Sequence, residues 1–424
     1  MLKDRVKLGE IDKYIDKDVY VYGWLEDKRI VGQVAFLVLR DMTGKVQVTV
    51  KKSVKRHLYT HALTIPRQSI LKVHGKVNLY GETIEVIPYD IQVLSEAKHP
   101  LPIDPTGRVP ANLPTIIDNR PLSLRIPTIR AVFQLRALTK QVIREFFINH
   151  GFIEVDTPKI IATATEGGAN LFEIKYFDRV AYLAQSPQLY KEQLTMGFDG
   201  VFEIAQFYRA EKSHTRRHLT EFTSVDLEVA FADYNDAMDI LEEMVKYLLR
   251  EIHKRGKPYL EILGYTPPEP PASMKRITYD EALEIIRSKG GEIKWGEDIE
   301  SEGLELLAEE LPGFYFIIDW PWDIKPFYIM RKGDLTESFD LMMGRLELSS
   351  GGTREHRYNE LRRNIREKGL NVESFDYHTR FYQYGMPPHA GFGLGLDRLM
   401  TVLSGRENIR EVVLYPRDPE SLTP

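Results

Sequence analysis

Apolar residues in the first hundred positions recur at every second place. Asp18-Val19-Tyr20-Val21-Tyr22-Gly23-Trp24-Leu25 carries the pattern, and Val34-Ala35-Phe36-Leu37-Val38-Leu39-Arg40 follows. Lys45-Val46-Gln47-Val48-Thr49-Val50 repeats it after a turn at Asp41-Met42-Thr43-Gly44. Period two puts alternate side chains on opposite faces of a strand, so three strands are predicted. A polar stretch from Lys51 to Thr60 reads as a short helix. Residues 70–77 and 83–88 read as two more strands. Three strands, a helix and two strands is the element order of a five-stranded OB barrel. An SH3-like barrel or half of a sandwich fits the same pattern.

The pattern then breaks. Residues 98–114 hold prolines at 100, 102, 105, 110 and 114. Proline disfavours helix at itself and at the preceding residue, so an extended, stiff linker is predicted. This gives a barrel over 1–97, a linker over 98–125 and a second domain over 126–424. The second domain changes to helical spacing: Val132, Leu135, Leu138, Val142 and Phe146 fall on one face, and Gly151 ends the helix. Phe152-Ile153-Glu154-Val155 starts a strand that Pro158 stops. Val201-Phe202-Glu203-Ile204 and Val225-Asp226-Leu227-Glu228-Val229 are strands that alternate apolar with acidic residues. Residues 237–254 form an amphipathic helix, and 259–330 read as an inserted module of helices and strands. The fold class expected is α+β.

Composition narrows the chemistry. The chain has 424 residues, of which 43% are hydrophobic and 11% aromatic, enough to build cores and exclude disorder. It has no cysteine, which excludes disulfides, iron–sulfur clusters, cysteine-bound zinc and thiol nucleophiles. The first residues, Met1-Leu2-Lys3-Asp4-Arg5, are charged and precede no apolar core, so no secretory signal is expected. No run approaches the ~18 apolar residues of a membrane span. A cytoplasmic protein is expected. The net charge is −5, yet residues 1–100 hold 17 Lys and Arg against 12 Asp and Glu, while residues 101–424 hold 40 against 50. A basic first quarter on an acidic body suggests contact with a polyanion.

Three constellations carry chemistry. Phe207-Tyr208-Arg209-Ala210-Glu211 leads into Lys212-Ser213-His214-Thr215-Arg216-Arg217-His218 and then Leu219-Thr220-Glu221-Phe222. Lying between two strands, it is a hairpin whose loop is loaded with cations. Arginine forks bind phosphate oxygens bidentately, and phenylalanine offers a flat face to a base. A solvated loop is the bland alternative. Gly391-Phe392-Gly393-Leu394-Gly395-Leu396-Asp397-Arg398 is the second. Only 26 residues follow Arg398, too few for the βαβ unit of about 30 residues that a dinucleotide turn would need. A strand of small residues leading into a helix, with Arg398 at its start, fits better. The third joins Glu337-Ser338-Phe339-Asp340 with Glu347-Leu348-Ser349-Ser350-Gly351-Gly352-Thr353-Arg354. Glu347 and Ser350 can offer hard oxygens to Mg²⁺, or simply end a polar strand.

In this order the motifs resemble those of a class II aminoacyl-tRNA synthetase of the aspartyl, asparaginyl and lysyl subgroup, and most closely the archaeal-type aspartyl enzymes. The resemblance spans essentially the whole chain. It implies an OB anticodon-binding domain and a catalytic domain built on an antiparallel sheet. It also implies a homodimer formed through the helix before Gly151 and the strand ending at Pro158. Arg209 would hold the ATP α-phosphate and the amino-acid carboxylate, with Ala210 and Glu211 beside the adenine. Arg217, His218 and Leu219 would lie over the triphosphate, and Phe222 would stack on adenine. Gly395, Leu396, Asp397 and Arg398 would complete the ATP site, with Arg398 on the γ-phosphate. Glu347 and Ser350 would hold Mg²⁺. Arg209 and Arg398 are the catalytic residues so implied. The reaction is in-line attack of a carboxylate on phosphorus, for which positioning and charge neutralisation suffice.

The same resemblance assigns the amino-acid pocket to Glu166, Gln188, Leu189, Tyr190, Lys191, Arg209, Ser350 and Arg354. Lys191 and Arg354 would meet the substrate side-chain carboxylate, and Glu166 the α-ammonium. The expected activity is aspartate–tRNA ligation on tRNA(Asp), and on tRNA(Asn) if the barrel does not discriminate. The segment 212–222 looks more asparaginyl, whereas Tyr384-Gly385-Met386-Pro387-Pro388-His389-Ala390-Gly391-Phe392 looks aspartyl. Lys191, which asparaginyl enzymes typically lack, favours aspartate. An asparaginyl-tRNA synthetase is the alternative. So is a tRNA-independent, synthetase-like enzyme that forms asparagine, although such relatives resemble the catalytic domain alone. On the barrel, Phe36 and Gln47 match positions that stack on and hydrogen-bond the anticodon. A core role for Phe36 is the alternative.

Overall fold

The computed structural model describes residues 5–163, 170–212 and 215–423. The chain divides into two compact units, Met1–Pro110 and Ala111–Pro424.

In the first unit the alternating segments form β1 (Asp18–Val31), β2 (Val34–Arg40) and β3 (Lys45–Lys51). Helix α1 (Arg56–Thr64) and strands β4 (Ile70–Tyr80) and β5 (Thr83–Ser95) follow. The sheet closes because β1 pairs with both β2 and β4, while β3 runs parallel to β5. This is the OB barrel that the element order predicts. The inward set of the alternation fills it: Val19, Val21, Leu25, Leu37, Leu39, Val48, Leu71, Val73 and Val86 are buried together. Leu58 and Ala62 of α1 pack into the same core. Lys28 ties down the helix end by donating through Nζ to the carbonyls of Leu63 at 2.5 Å and Ile65 at 2.8 Å.

The second unit begins with two short helices, Leu113–Asp118 and Arg120–Ser123, inside the stretch 98–125 expected as a linker. Asn112 caps the first by accepting from the Thr115 amide, and a proline stands in the opening turn of each, where its missing N–H costs nothing. Helix α2 (Pro127–Asn149) leads into β6 (Ile153–Glu154). Helix α3 (Gln188–Leu194) precedes the long hairpin of β7 (Gly200–Tyr208) and β8 (Glu221–Ala230), then α4 (Tyr234–Arg255). After β9 (Lys275–Thr278) come α5 (Tyr279–Ser288), α6 (Ser301–Glu310) and β10 (Phe314–Ile318). Strands β11 (Ser338–Met343) and β12 (Leu346–Thr353) follow, then α7 (Tyr358–Glu367). Strand β13 (His389–Gly395) and helix α8 (Leu396–Ser404) complete the site.

Eight strands make one sheet in the order β9-β10-β11-β12-β13-β8-β7-β6. The six central strands are antiparallel, and each edge adds one parallel strand. The stretch 259–330 therefore contributes two strands to this sheet. Its α5 and α6 enclose a smaller core of Ala282, Leu283, Ile286 and Leu307. One face of the central sheet is apolar: Val225, Leu227, Phe392 and Leu394 pack on α2, α4 and α8 through residues such as Leu135, Leu241, Leu248 and Leu399. The alternating acidic positions of β8 point away from that core, and this other face carries the site.

Candidate active site

Strands β8, β12 and β13 lie side by side with Asp226 opposite Gly393, Gly393 opposite Ser350, and Glu228 opposite Gly391. Glycine at 391 is required by close approach. A Cβ there would lie 2.1 Å from the Leu227 carbonyl oxygen and 2.4 Å from the Glu228 carboxylate. The glycine-rich strand thus leaves room for carboxylates and a ligand on the open face.

Above this floor is a cavity of about 370 Å³. Gln188, Arg209, Glu211, Arg217, His218, Leu219, Phe222, Glu347, Ser350, Arg354, Gly395, Asp397 and Arg398 all line it. The fold thus brings the three motifs to one place. Leu189, Tyr190, Lys191, Ala210 and Leu396 are not among its lining residues, and of these Leu189, Lys191 and Leu396 are buried. Glu166 lies outside the described residues.

The cavity is crowded with cations. The Arg209 guanidinium lies 5.3 Å from the Phe222 ring centroid. Its buried Nε has no hydrogen-bond partner among the described residues, a donor left for an anion. Arg398 donates to the Glu347 carbonyl at 2.9 Å and, at 3.3 Å, to Nε2 of His218. With Nε2 accepting, the His218 proton sits on Nδ1 and is donated to Thr215 Oγ1 at 2.7 Å. Burial, then the charge of Arg398, push the His218 imidazole below its ordinary value, so it is neutral at pH 7. Burial and the charges of Arg345 and Arg398 likewise lower Arg217. Asp397 braces the site: it pairs with Arg136 of α2 at 2.6 Å and accepts the Thr223 amide at 2.8 Å, tying α2, β8 and the start of α8 together.

Beneath the cavity two cations meet two carboxylates. Lys191 Nζ is 3.0 Å from Asp226 and 3.4 Å from Glu228, and it donates to the carbonyls of Phe392 and Leu227 at 2.9 and 3.3 Å. Arg354 donates from Nε to Glu228 at 2.9 Å. Burial alone would lower the Arg354 guanidinium, but the Glu228 charge and hydrogen bond outweigh it and hold the group above its ordinary value. Sequence reading misses Asp226 and Glu228 as site residues, although a signal is present: acidic residues alternate with apolar ones in a strand whose two faces are both covered.

At the other end, Asp340 of β11 sits opposite Ser350 and is paired with Lys325 at 2.8 and 3.0 Å. Burial raises its carboxyl against the opposing pull of Lys325, and the Glu347 charge adds to the rise. Among the described residues no group of three or more His, Asp or Glu is gathered to hold a metal alone. Glu347, Ser350 and Asp340 nevertheless form a set of hard oxygens, and Mg²⁺ needs only one or two carboxylates beside substrate phosphates. The donor set fits that ion. On the barrel, Phe36 is half-buried on the outer face, opposite the core residues Ala35 and Leu37. Gln47 shares that face and donates to Thr49 Oγ1 at 3.1 Å, and Thr49 bonds to the buried Glu85, a neighbour the sequence does not signal.

An OB barrel in the same chain as an antiparallel sheet with an arginine-lined cavity is the combination that the resemblance to class II aminoacyl-tRNA synthetases implies. Residues 112–419 match the family described as tRNA synthetases class II (D, K and N), and residues 19–94 match the OB-fold nucleic acid binding domain. The chain belongs to the class II tRNA synthetases of that group. It is 46% identical over 416 residues to the Aspartate--tRNA(Asp/Asn) ligase of Methanocaldococcus jannaschii, covering 96% of this chain and 95% of that one. It is also 46% identical over 422 residues to the Aspartate--tRNA(Asp) ligase of Pyrococcus horikoshii, covering 96% of each. Among solved structures, asparaginyl-tRNA synthetase from P. horikoshii complexed with asparaginyl-adenylate matches with a TM-score of 0.92 at 33% identity, covering 100% of both chains. No helix among the described residues is long and apolar enough to cross a membrane.

Proposed function

We propose that this chain is an aspartate–tRNA ligase. It activates L-aspartate with ATP and Mg²⁺ as aspartyl-adenylate and transfers the aspartyl group to tRNA(Asp), and to tRNA(Asn) as well if the barrel accepts both. The observation that carries the reading is a buried cation, Arg354, in the lining of a cavity that also holds Arg209, Arg217 and Arg398, with a second buried cation, Lys191, on the same carboxylate of Glu228. A side-chain carboxylate taken out of water needs cations in reach, and the carboxylates of Asp226 and Glu228 hold these two in place.

The α-carboxylate of aspartate attacks the α-phosphorus of ATP in line, and pyrophosphate leaves. Arg209, with its unpaired Nε, is suited to bridge the two reacting groups. Arg398 and Arg217 take up charge on the departing phosphates, with neutral His218 holding the Arg398 fork. Phe222 offers the adenine a stacking face. Glu347 and Ser350, with Asp340 beside them, would hold Mg²⁺, which supplies neutralising charge to the phosphates when bound. A ribose hydroxyl at the tRNA end then attacks the carbonyl and AMP leaves. None of these steps needs a protein nucleophile, in keeping with a chain that has no cysteine. Phe36 and Gln47 are the barrel residues proposed to read the anticodon. The exposed Ile148, Ile153 and Ile160, on and beside α2 and β6, support a homodimer through that surface.

A second reading is asparagine activation, favoured by the asparaginyl enzymes among the similar structures. ATP–pyrophosphate exchange with each amino acid separates the two. Exchange driven by aspartate and not by asparagine is expected, and the reverse preference would overturn the assignment. An enzyme that released free asparagine without tRNA would overturn it too.

A further inference from the structure

Gln188 is a wall residue of the cavity, and its amide polarity is set from behind. Nε2 of Gln188 donates to Glu192 Oε1 at 2.6 Å, one turn along α3. A carboxylate can only accept, so the amide nitrogen is committed to Glu192. The carbonyl oxygen is left as the polar group that Gln188 can turn to the cavity. Glu192 is itself fixed. Its Oε2 accepts from Tyr382 Oη at 2.6 Å and from His378 Nε2 at 3.2 Å, with His389 Nε2 at 3.9 Å. The His378 tautomer follows from its other nitrogen, because Nδ1 accepts from the Gln193 amide at 3.1 Å and the ring proton is then on Nε2. Glu192, His378 and His389 are wholly buried. Burial pushes the Glu192 carboxyl up, but the hydrogen bonding to His378 outweighs it and holds the group well below the ordinary carboxylate range. Of these partners only Glu192 and Gln193 lie near Gln188 in sequence.

From this geometry we infer that Glu192 is a positioning residue which orients the Gln188 carbonyl toward the α-ammonium of the amino-acid substrate. The inference rests on the reading of the cavity as an amino-acid activation site, but not on the choice of aspartate, since every amino acid carries that ammonium. It predicts what a minimal change would do. In Glu192→Gln the new side chain keeps its oxygen toward the donors Tyr382 and His378. Its amide nitrogen then faces Gln188. The Gln188 amide must turn over to accept that bond, and it presents N–H groups to an ammonium. Adding Gln188→Glu in the same background reverses the defect. One oxygen of the new carboxylate accepts from the introduced amide, and the other faces the cavity.

Exchange kinetics on Glu192→Gln, on Glu192→Gln/Gln188→Glu and on the wild type test this, with melting temperature and the KM for ATP measured on each. The expected result is a KM for aspartate raised about tenfold or more in Glu192→Gln, as for loss of one hydrogen bond to a charged group. The KM for ATP should be unchanged, and the double variant should regain most of the affinity for aspartate. A folded Glu192→Gln with the wild-type KM for aspartate overturns the inference. So does a folded double variant no better than the single one, which is what a merely structural Glu192 predicts. If Glu192→Gln does not fold, the double variant decides alone: near-wild-type aspartate affinity supports the relay, and its loss in a folded protein refutes it. Failure of the wild type to activate any amino acid would refute the underlying reading instead.

Discussion

Lys191→Leu is the perturbation whose consequences the structure works out most fully. The side chain is 2% exposed and touches two carboxylates and two carbonyls. At an effective dielectric of about 20, a pair 3.0 Å apart attracts by about 5–6 kcal/mol before desolvation is subtracted. Removing one partner of a buried pair costs about 3–5 kcal/mol, because the other charge is left behind. At roughly 2 °C per kcal/mol for a large domain, the catalytic unit should melt about 6–10 °C lower. The effect on substrate is separate. Lys191 and Arg354 balance Asp226 and Glu228 in the free enzyme. Without the lysine the four-residue set carries one net negative charge, and aspartate must add a second. Loss of aspartate binding by about 2–5 kcal/mol follows, a fall of roughly 30- to 5,000-fold in kcat/KM. Asparagine brings no side-chain charge, so its kcat/KM should fall far less and the ratio of aspartate to asparagine should drop. The assay is ATP–pyrophosphate exchange with each amino acid below the melting temperature of the variant, with the KM for ATP as the control. An unchanged ratio in a folded variant would refute the argument that these cations read a carboxylate.

Other outcomes follow from the same geometry. Glu347→Ala should weaken the Mg²⁺ titration of aspartate activation while leaving stability within about 0.5 kcal/mol of wild type, because the side chain is 47% exposed. An unchanged titration would make it a simple strand-end residue. Phe36→Ala should spare exchange and weaken tRNA binding by about 1–3 kcal/mol, with salt-sensitive residual binding. Barrel melting on the same variant is the control, and unchanged tRNA affinity in a folded barrel removes Phe36 from the recognition surface. Glu192 has a depressed carboxyl, so its stabilising contribution is complete above about pH 4.5 and is lost as the pH falls through its lower folded value. The stability gap between wild type and Glu192→Gln should therefore narrow below about pH 4.5. A gap constant with pH would contradict an ionised Glu192.

What the sequence makes legible here depends on the distance over which a signal acts. Period two along 18–50 and helical spacing along 129–149 are local, so the barrel and α2 are readable. The Arg209–Phe222 and Gly391–Arg398 motifs are contiguous, so each can be read alone, and they share one cavity. The pairing of Lys325 with Asp340 is not readable, since nothing in either segment names the other. Nor is the meeting of Gln188 and Glu192 with His378, Tyr382 and His389, which lie far along the chain. The strands at 275–278 and 314–318 pair with each other and look like parts of a separate insertion, because the strand that joins them to the main sheet, 338–343, lies outside that stretch. Lys191 is readable as a cation for a carboxylate, but its buried place, held by Asp226, comes only from the register of β8 on β13.

The most direct test of the central claim is aminoacylation by the purified full chain, with labelled aspartate and labelled asparagine, on purified tRNA(Asp) and tRNA(Asn) side by side. Aspartate should become esterified to tRNA(Asp) in the presence of ATP and Mg²⁺, whether or not tRNA(Asn) also accepts it, and asparagine should be esterified to neither. Esterification of asparagine, or failure to charge tRNA(Asp) with aspartate, would contradict the account.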